Sequence, residues 1–512
     1  MGPLRRRVAR QRHWLLPALT VVGLGLIRLR WGDFETDTSL YAGVAWQMVE
    51  TGSFWTPMAG DLPYFNKPPL VLWFHAACFW LLGPVLGLYE GAPPFWAIRL
   101  PVIAQAAAAV SVSAIAVRRL AGAKAGLLTG LILAASFEIF IHLNRAIMDY
   151  AVMGLMMASV WAIARAESSA KPGAWSTLAG LPLGLALLCK PFFALGLIPI
   201  MALWLALVGR ARRVFWLGAT TLVAIAVALP WHASMVSIWS WTFRRRYFGT
   251  ETLQRATADA GFGTDHPWWA HFETIGVRFL PWTVPLAFGL LWIATGRPLG
   301  RSRHAVLWAL CWAGVWLAAL AFFPEKRPRY MMHVWPALAL IAAIWITRWA
   351  PAGIRGPGTR RLVLVPLAAL LVGAVGLLRQ VIPLDPPAPK WAKIAELTAR
   401  EPETPLYHGT LALERSARVY LAAGRWPKAI YEQAIYGGAR TPPENAIVIW
   451  HRGRLAEIGI AEADPSVEAL IGDYAIVRWA ERHRLAAGLT AETDPGPGRP
   501  APDRQGSPGE GG

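Results

Sequence analysis

The chain has 512 residues, 55% of them hydrophobic and 16% charged, with 28 tryptophans and a formal net charge of +19 at pH 7. That apolar content, with a mean hydropathy of +0.38, excludes an ordinary soluble enzyme, and repeated apolar runs of about 18 residues or more mark a polytopic α-helical membrane protein. The basic residues fall in short clusters between the apolar runs, a distribution that fits the positive-inside rule and anionic headgroups better than a nucleic-acid groove.

In chain order, MGPLRRRVARQRHWLL resembles the charged start of a signal peptide, but no small-residue cleavage site follows it, so residues 14–30 are expected as a retained first span. Arg5, Arg6, Arg7, Arg10 and Arg12 hold its start in the cytoplasm and place the acidic stretch 31–68 outside. Residues 68–88 read as a span by hydropathy alone. If they cross, the basic loops 118–124, 210–213, 297–303 and 355–361 all fall outside; if they lie on the outer surface as an interfacial helix, broken by Gly83 and Pro84, all four fall inside. The second arrangement is the expected one. Further spans then run over 95–117, 125–143, 149–167, 173–189, 191–209, 214–231, 275–295, 304–323, 329–349 and 361–380, about eleven in all with the first. The membrane domain is expected over 1–384, with a long outer loop at 232–274. After the DPPAPK linker, residues 390–485 alternate helical and strand-like runs and predict a small extracytoplasmic α/β domain; Pro, Gly and Ser mark 493–512 as a disordered tail. Cys78, Cys189 and Cys311 lie in or beside apolar stretches, which predicts neither a disulfide framework nor a metal site.

Acids just past a membrane helix end are expensive unless water, a metal or a polar substrate meets them. Glu35 and Asp37 stand two apart and could share a divalent cation, or one could act as a base tuned by the other; Asp37 could equally cap the helix SLYAGVAWQMV. In YFNKPP, Tyr64 to Pro69, the prolines start a helix and aim Lys67, which otherwise would snorkel to headgroups. Asp149 sits at the mouth of a span, four residues after Arg145, and Lys190 sits at the outer turn between two spans. The loop FRRRYFGTETLQR holds Arg244, Arg245, Arg246, Glu251 and Arg255; guanidiniums among aromatics suit a phosphate, while the arginine triplet also suits a headgroup-binding face. PEKRPRY adds Lys326, Arg327, Arg329 and Tyr330 on the same side, positive charge that breaks the positive-inside trend and points to an anion in the site.

The order of these elements resembles the C-type membrane glycosyltransferases, and most of all the branch of the bacterial lipid A aminoarabinose transferase and the protein O-mannosyltransferases. It is carried by an acid after the first membrane helix, Y-F-x-K-P, an Asn-Arg-Asp turn, E-x-x-x-R and K-R-x-x-Y, and it covers about residues 15 to 380. The resemblance implies a sugar donor on a polyprenyl phosphate, with Asp37 the key acid, Lys67 and Arg255 meeting the donor phosphate, and Tyr64 and Asp149 lining the same cavity. In the aminoarabinose transferase the residue before the motif lysine is an acid and the E-x-x-x-R contains a histidine, both metal ligands; here those positions hold Asn66 and Thr252. A bound zinc is therefore not expected.

The activity this implies is inverting transfer of one sugar to a glycolipid, polysaccharide or protein outside the inner membrane. Lys67 and Arg255 would stabilise the leaving phosphate, and Asp37 would serve as base toward a hydroxyl acceptor. Asp149 would orient a substrate; Glu35, Tyr64, Lys190, Lys326, Arg327 and Tyr330 would bind it. No cofactor is required, although a divalent cation near Glu35 and Asp37 is compatible with the acids. Expected partners are the donor, the acceptor and membrane lipids, with no nucleic acid. The competing reading is a transporter or flippase of a lipid-linked anion; such proteins usually show repeat symmetry and broken midplane helices, and neither is visible here.

Overall fold

The computed structural model describes residues 3–27, 29, 36–86, 95–143, 145–254, 266–296, 300–349, 389–409, 416–417, 419–421, 424–429, 442–480 and 483. Most of the acidic stretch before Thr36, including Glu35, lies outside the described residues, as do Arg255, the expected span 361–380 and the tail 493–512. The chain divides into two compact units, one of Met1–Pro57 with Phe65–Pro387 and one of Met58–Tyr64 with Ala388–Gly512.

The first unit is helical. Its elements are α1 (Pro3–Ile27), α2 (Thr36–Thr51), α3 (Leu70–Leu86), α4 (Phe95–Ala121), α5 (Ala123–Ala134), α6 (Phe137–His142), α7 (Asp149–Ala166), α8 (Pro172–Leu178), α9 (Gly180–Leu187), α10 (Pro191–Leu195), α11 (Leu197–Leu207), α12 (Phe215–Phe243), α13 (Ala270–Arg278), α14 (Thr283–Ala294), α15 (Arg303–Phe322) and α16 (Trp335–Trp349). Among the described residues, the stretches Trp96–Ala121, Ala211–Leu253 and Arg303–Phe322 are long and apolar enough to cross a membrane, and α13 with α14, bent by 119°, pass the same test together. Large apolar side chains point outward along α12 and α15: Phe215, Leu222, Leu229, Trp241 and Phe322 are all exposed. A soluble surface avoids such a display, and a lipid-facing one requires it.

Helix α4 is the packing centre, lying against α1, α5 and α7. Alanine and serine on α4 let the neighbours approach closely, the packing mode that drives helix association in lipid. Helix α9 crosses α12 where Gly184 faces Val227 and the Ala224 carbonyl; a Cβ there would lie 2.5 Å from Val227 Cβ and 2.8 Å from that oxygen.

The sequence reading ends one span at 231 and expects a loop from 232. The structure instead continues α12 to Phe243, with a break in the helical backbone at Ser240, and passes into π-helical turns over Arg244–Gln254. The cause is aromatic packing: Phe243 stacks on Tyr247 at 4.9 Å, and Phe65 meets the edge of Phe243 at 5.1 Å. Tertiary contacts override the weak helix propensity of FRRRYFGTE.

In the second unit, β1 (Met58–Ala59) and β2 (Leu62–Pro63) form an antiparallel hairpin. Beyond helix α17 (Pro389–Ala399), strands β3 (Leu406–His408), β4 (Lys428–Ala429), β5 (Ile447–His451), β6 (Val467–Ile471) and β7 (Tyr474–Arg478) make one sheet in the order β4-β3-β5-β7-β6. Strand β3 runs parallel to β4 and β5, and β7 antiparallel to β5 and β6. Alternation along β5 buries both faces: Val448 and Trp450 join Leu455 and Val477 on one, while Ile447 and Ile449 join Ile394 of α17 and Ile476 on the other.

The α9–α12 crossing gives a test of the packing. Gly184→Leu is expected to destabilise the protein by about 1–3 kcal/mol through overpacking, read as a lower melting temperature in detergent. Gly218→Ala, on α12 with nothing within 4 Å of the added Cβ, is expected to be neutral or stabilising by up to about 1 kcal/mol.

Candidate active site

Three of the basic residues that stand directly before a proline lie at or beside the site: Lys67 before Pro68, Lys190 before Pro191 and Arg327 before Pro328. A proline disfavours the helical region for the residue preceding it. Lys190 accordingly adopts φ −150°, ψ 84° ahead of α10, and Arg327 adopts φ −87°, ψ 128° ahead of the 3₁₀ turn Pro328–His333. Each side chain thus leaves the chain at an element start, where the backbone is fixed. Asp149 is the first residue of α7, where a carboxylate meets the positive end of the helix dipole.

These starts converge on one cavity of about 300 Å³, whose polar lining includes Tyr41, Lys67, Asp149, Lys190, Glu251 and Arg329. Its apolar lining includes Phe192, Phe193, Phe248 and Phe323. The charges interlock. Lys190 Nζ donates to Asp149 Oδ1 at 2.8 Å, and His333 Nε2 lies 3.4 Å from the same oxygen. Lys67 Nζ donates to Glu251 Oε2 at 2.8 Å and to the Asn66 carbonyl at 2.8 Å. Arg329 is paired with Asp37. The Lys190 ammonium also lies over two rings, 4.7 Å from the centroid of Phe193 and 4.9 Å from that of Tyr330, a cation–π arrangement.

Electrostatics follow from these pairings. Burial works against the Asp37 carboxylate, but Arg329 beside it, helped by Arg327 and Lys67, holds the carboxyl below its ordinary range. Burial pulls the Lys190 ammonium down to about 8; Asp149 opposes that shift, while Arg329 and Lys67 add to it. Burial and the Glu325 carboxylate push the Tyr330 phenol up.

The structure brings Lys67, Asp149, Lys190 and Tyr330 to the cavity wall, and Asp37 to Arg329, which lines it. Lys326 is turned onto the end of α15, donating to the Ala321 carbonyl at 2.9 Å and also to that of Phe323. Arg327 pairs with Glu325 at 2.5 Å, and Glu325 also accepts from the Tyr330 hydroxyl. Tyr64 is buried and belongs to the second unit. The sequence reading gives no site role to Tyr41, Glu251 or His333, and places Arg329 only within the basic KRPRY cluster that points to an anion. What sets Arg329 apart from its neighbours in that cluster is Pro328, which starts a new turn between Arg327 and Arg329.

Asn66 and Thr252 are both engaged in hydrogen bonds within the protein. Asn66 Oδ1 accepts from Arg246 Nε at 2.8 Å, and the Thr252 hydroxyl donates to the Tyr247 carbonyl at 2.8 Å. A guanidinium thus occupies the amide where a cation would need an anionic ligand. Among the described residues, no group of three or more His, Cys, Asp or Glu is placed to hold a metal ion.

Residues 66–239 match the family described as dolichyl-phosphate-mannose-protein mannosyltransferase. The undecaprenyl phosphate-alpha-4-amino-4-deoxy-L-arabinose arabinosyl transferase of Edwardsiella ictaluri is 27% identical over 368 residues, 70% of this chain and 62% of that protein. The protein of the same name from Pseudomonas paraeruginosa is 27% identical over 406 residues, 74% of this chain and 68% of that one. The chain thus spans about three-fifths to two-thirds of the length of these relatives. Among solved structures, ArnT from Cupriavidus metallidurans bound to undecaprenyl phosphate superposes with a TM-score of 0.70 at 20% identity, covering 90% of this chain and 97% of that one. The archaeal oligosaccharyltransferase AglB from Archaeoglobus fulgidus gives 0.56 at 11% identity, covering 88% and 70%.

The fold is that of the C-type polytopic membrane glycosyltransferases. Within them, the chain is most similar to the aminoarabinose transferases over most of its length and to the mannosyltransferase family over residues 66–239.

Lys190 supplies a pH test. With its conjugate acid near 8, the ammonium is intact at pH 7 and mostly lost by pH 9, so any anion it holds should bind more weakly as pH rises through that window. Titration with undecaprenyl phosphate at pH 7 and pH 9 is expected to show a several-fold weaker Kd at the higher pH, and Lys190→Arg is expected to flatten the difference.

Proposed function

We propose that the chain is an integral membrane glycosyltransferase that moves one sugar from a polyprenyl-phosphate donor to an acceptor on the non-cytoplasmic side. The observation that carries this reading is the make-up of one cavity: Lys67, Lys190 and Arg329 share it with four phenylalanines. Cations suit a phosphate and the rings suit an isoprenoid or sugar face, so the lining matches a lipid-linked phosphoester better than a free sugar or a free anion. The names of the relatives support the same donor class.

The acceptor nucleophile attacks the anomeric carbon and the phosphate leaves with the bonding electrons. Lys67 and Arg329 meet the charge that builds on the departing oxygens, and Lys190, held by Asp149, adds to that field. Asp37 stays ionised against Arg329, so its constant work is to orient that guanidinium toward the cavity. It takes a proton only from a hydroxyl acceptor that the transition state has made acidic. A divalent cation at Asp37 would have to displace Arg329, and the reaction as written uses none. The orientation that accords with the basic loops puts the N-terminus in the cytoplasm and the cavity outside an inner membrane crossed about eleven times. A transporter of the same donor would bind it in the same cavity without breaking the glycosyl bond.

In membranes carrying equal amounts of protein, Lys67→Ala is expected to lower covalent transfer of radiolabelled sugar from a polyprenyl-phosphate donor by about 100-fold or more. Undiminished transfer would remove Lys67 from the chemistry, and binding of donor with no labelled product from the wild type would favour transport.

A further inference from the structure

We infer that Arg246 is the positioning residue that releases Lys67 to an incoming phosphate, by taking over the carboxylate to which Lys67 is paired. This rests on the reading of the cavity as a phosphoester site.

Glu251 is buried, with a side chain only 4% exposed, and its two oxygens face different cations. Oε2 accepts from Lys67 Nζ at 2.8 Å, while Arg246 NH2 stands 3.8 Å from Oε1. The first is a hydrogen-bonded ion pair; the second is about an ångström too long to be one. Arg246 is itself oriented: its Nε donates to Asn66 Oδ1 at 2.8 Å, one residue before Lys67. That bond turns the NH2 of the fork toward Glu251 and leaves the guanidinium a short movement from closing on it. Its side chain is 12% exposed, so little water intervenes.

An anion that takes up the charge of Lys67 in full draws the ammonium away from Glu251. Removing the cation from a buried carboxylate is costly, on the order of 3–5 kcal/mol when nothing replaces it, which would cancel most of what Lys67 offers the phosphate. Arg246 lifts that penalty. As Lys67 moves, Arg246 closes the 3.8 Å gap, and a guanidinium–carboxylate pair replaces the ammonium–carboxylate pair. Total charge in the wall is unchanged; only the partners are exchanged. Arg246 does not line the cavity, whereas Lys67, Asn66 and Glu251 do, so its effect on the ligand runs through them.

The test measures the Kd of undecaprenyl phosphate for the full chain in detergent, by native mass spectrometry. Arg246→Gln is expected to weaken binding at least tenfold, because Lys67 stays on Glu251. Glu251→Gln is expected to tighten it about threefold or more, because the hydrogen-bonded carboxylate at 2.8 Å no longer holds the lysine. The double variant is expected to fall within about threefold of Glu251→Gln alone, since without the carboxylate there is nothing to take over. A double variant as weak as Arg246→Gln would make Arg246 a structural clamp through Asn66 and overturn the inference, as would unchanged binding in Arg246→Gln. Should Arg246→Gln fail to fold, Glu251→Gln still decides, since unchanged or weaker binding there is incompatible with a lysine held back by that carboxylate. Lys67→Ala separates the two levels: wild-type affinity in that variant overturns the phosphoester reading itself, whereas a loss there with no effect of Arg246→Gln overturns only the exchange.

Discussion

The cavity depends on pairing the charges that line it. Each ion taken from water costs several kcal/mol, and a good partner roughly returns that sum without adding much. The Asp149–Lys190 and Glu251–Lys67 pairs, each at 2.8 Å, therefore contribute little net stability over apolar residues of the same size. What they provide is a set of cations held in low dielectric at fixed positions. Such a set is of use to a ligand that brings negative charge and of little use to the fold.

Placement comes from the backbone rather than from the side chains. Lysine and arginine are long and rotamer-rich, and an unconstrained one would lose close to 2 kcal/mol of side-chain entropy on being fixed. Here the prolines after Lys190 and Arg327 start the next element, Pro68 stands two residues before α3, and together they set where each basic residue leaves the chain. The turn beginning at Pro328 then places Arg329 on Asp37 and Tyr330 at the cavity. Aromatic rings complete the wall, and Lys190 between Phe193 and Tyr330 is held by quadrupoles as well as by a carboxylate.

This explains how far the sequence could be read. Apolar runs separated by basic clusters show where helices begin and end, because lipid imposes one length and one composition on each. K-P and an acid at a helix start show which ionic residues are aimed. The partner of each is not visible. Asp37 meets Arg329 and Lys67 meets Glu251 across 292 and 184 residues, and no local pattern distinguishes Arg329 from Arg327 or Lys326 until Pro328 is recognised as the start of a turn. The stretch after 231 reads as loop, although it is helical, for a related reason. Its arginines and its Gly249 lower helix propensity, and only the contacts of Phe243 and Tyr247 with Trp231 and Phe65 show why it winds.

A cavity whose cations are already paired discriminates among anions differently from one whose cations face open water. A group that is to take Lys67 from Glu251 or Lys190 from Asp149 has to offer more than one carboxylate oxygen does. A phosphate monoester brings up to two charges and three acceptor oxygens, enough to bridge two or three cations at once. A single carboxylate or a neutral sugar hydroxyl offers less than the partner it would replace and gains nothing by exchange. On the proposed reading, selection for a phosphoester would arise from the occupied state of the cations, and the four phenylalanines would add the apolar contact that separates a lipid-linked phosphate from an inorganic one.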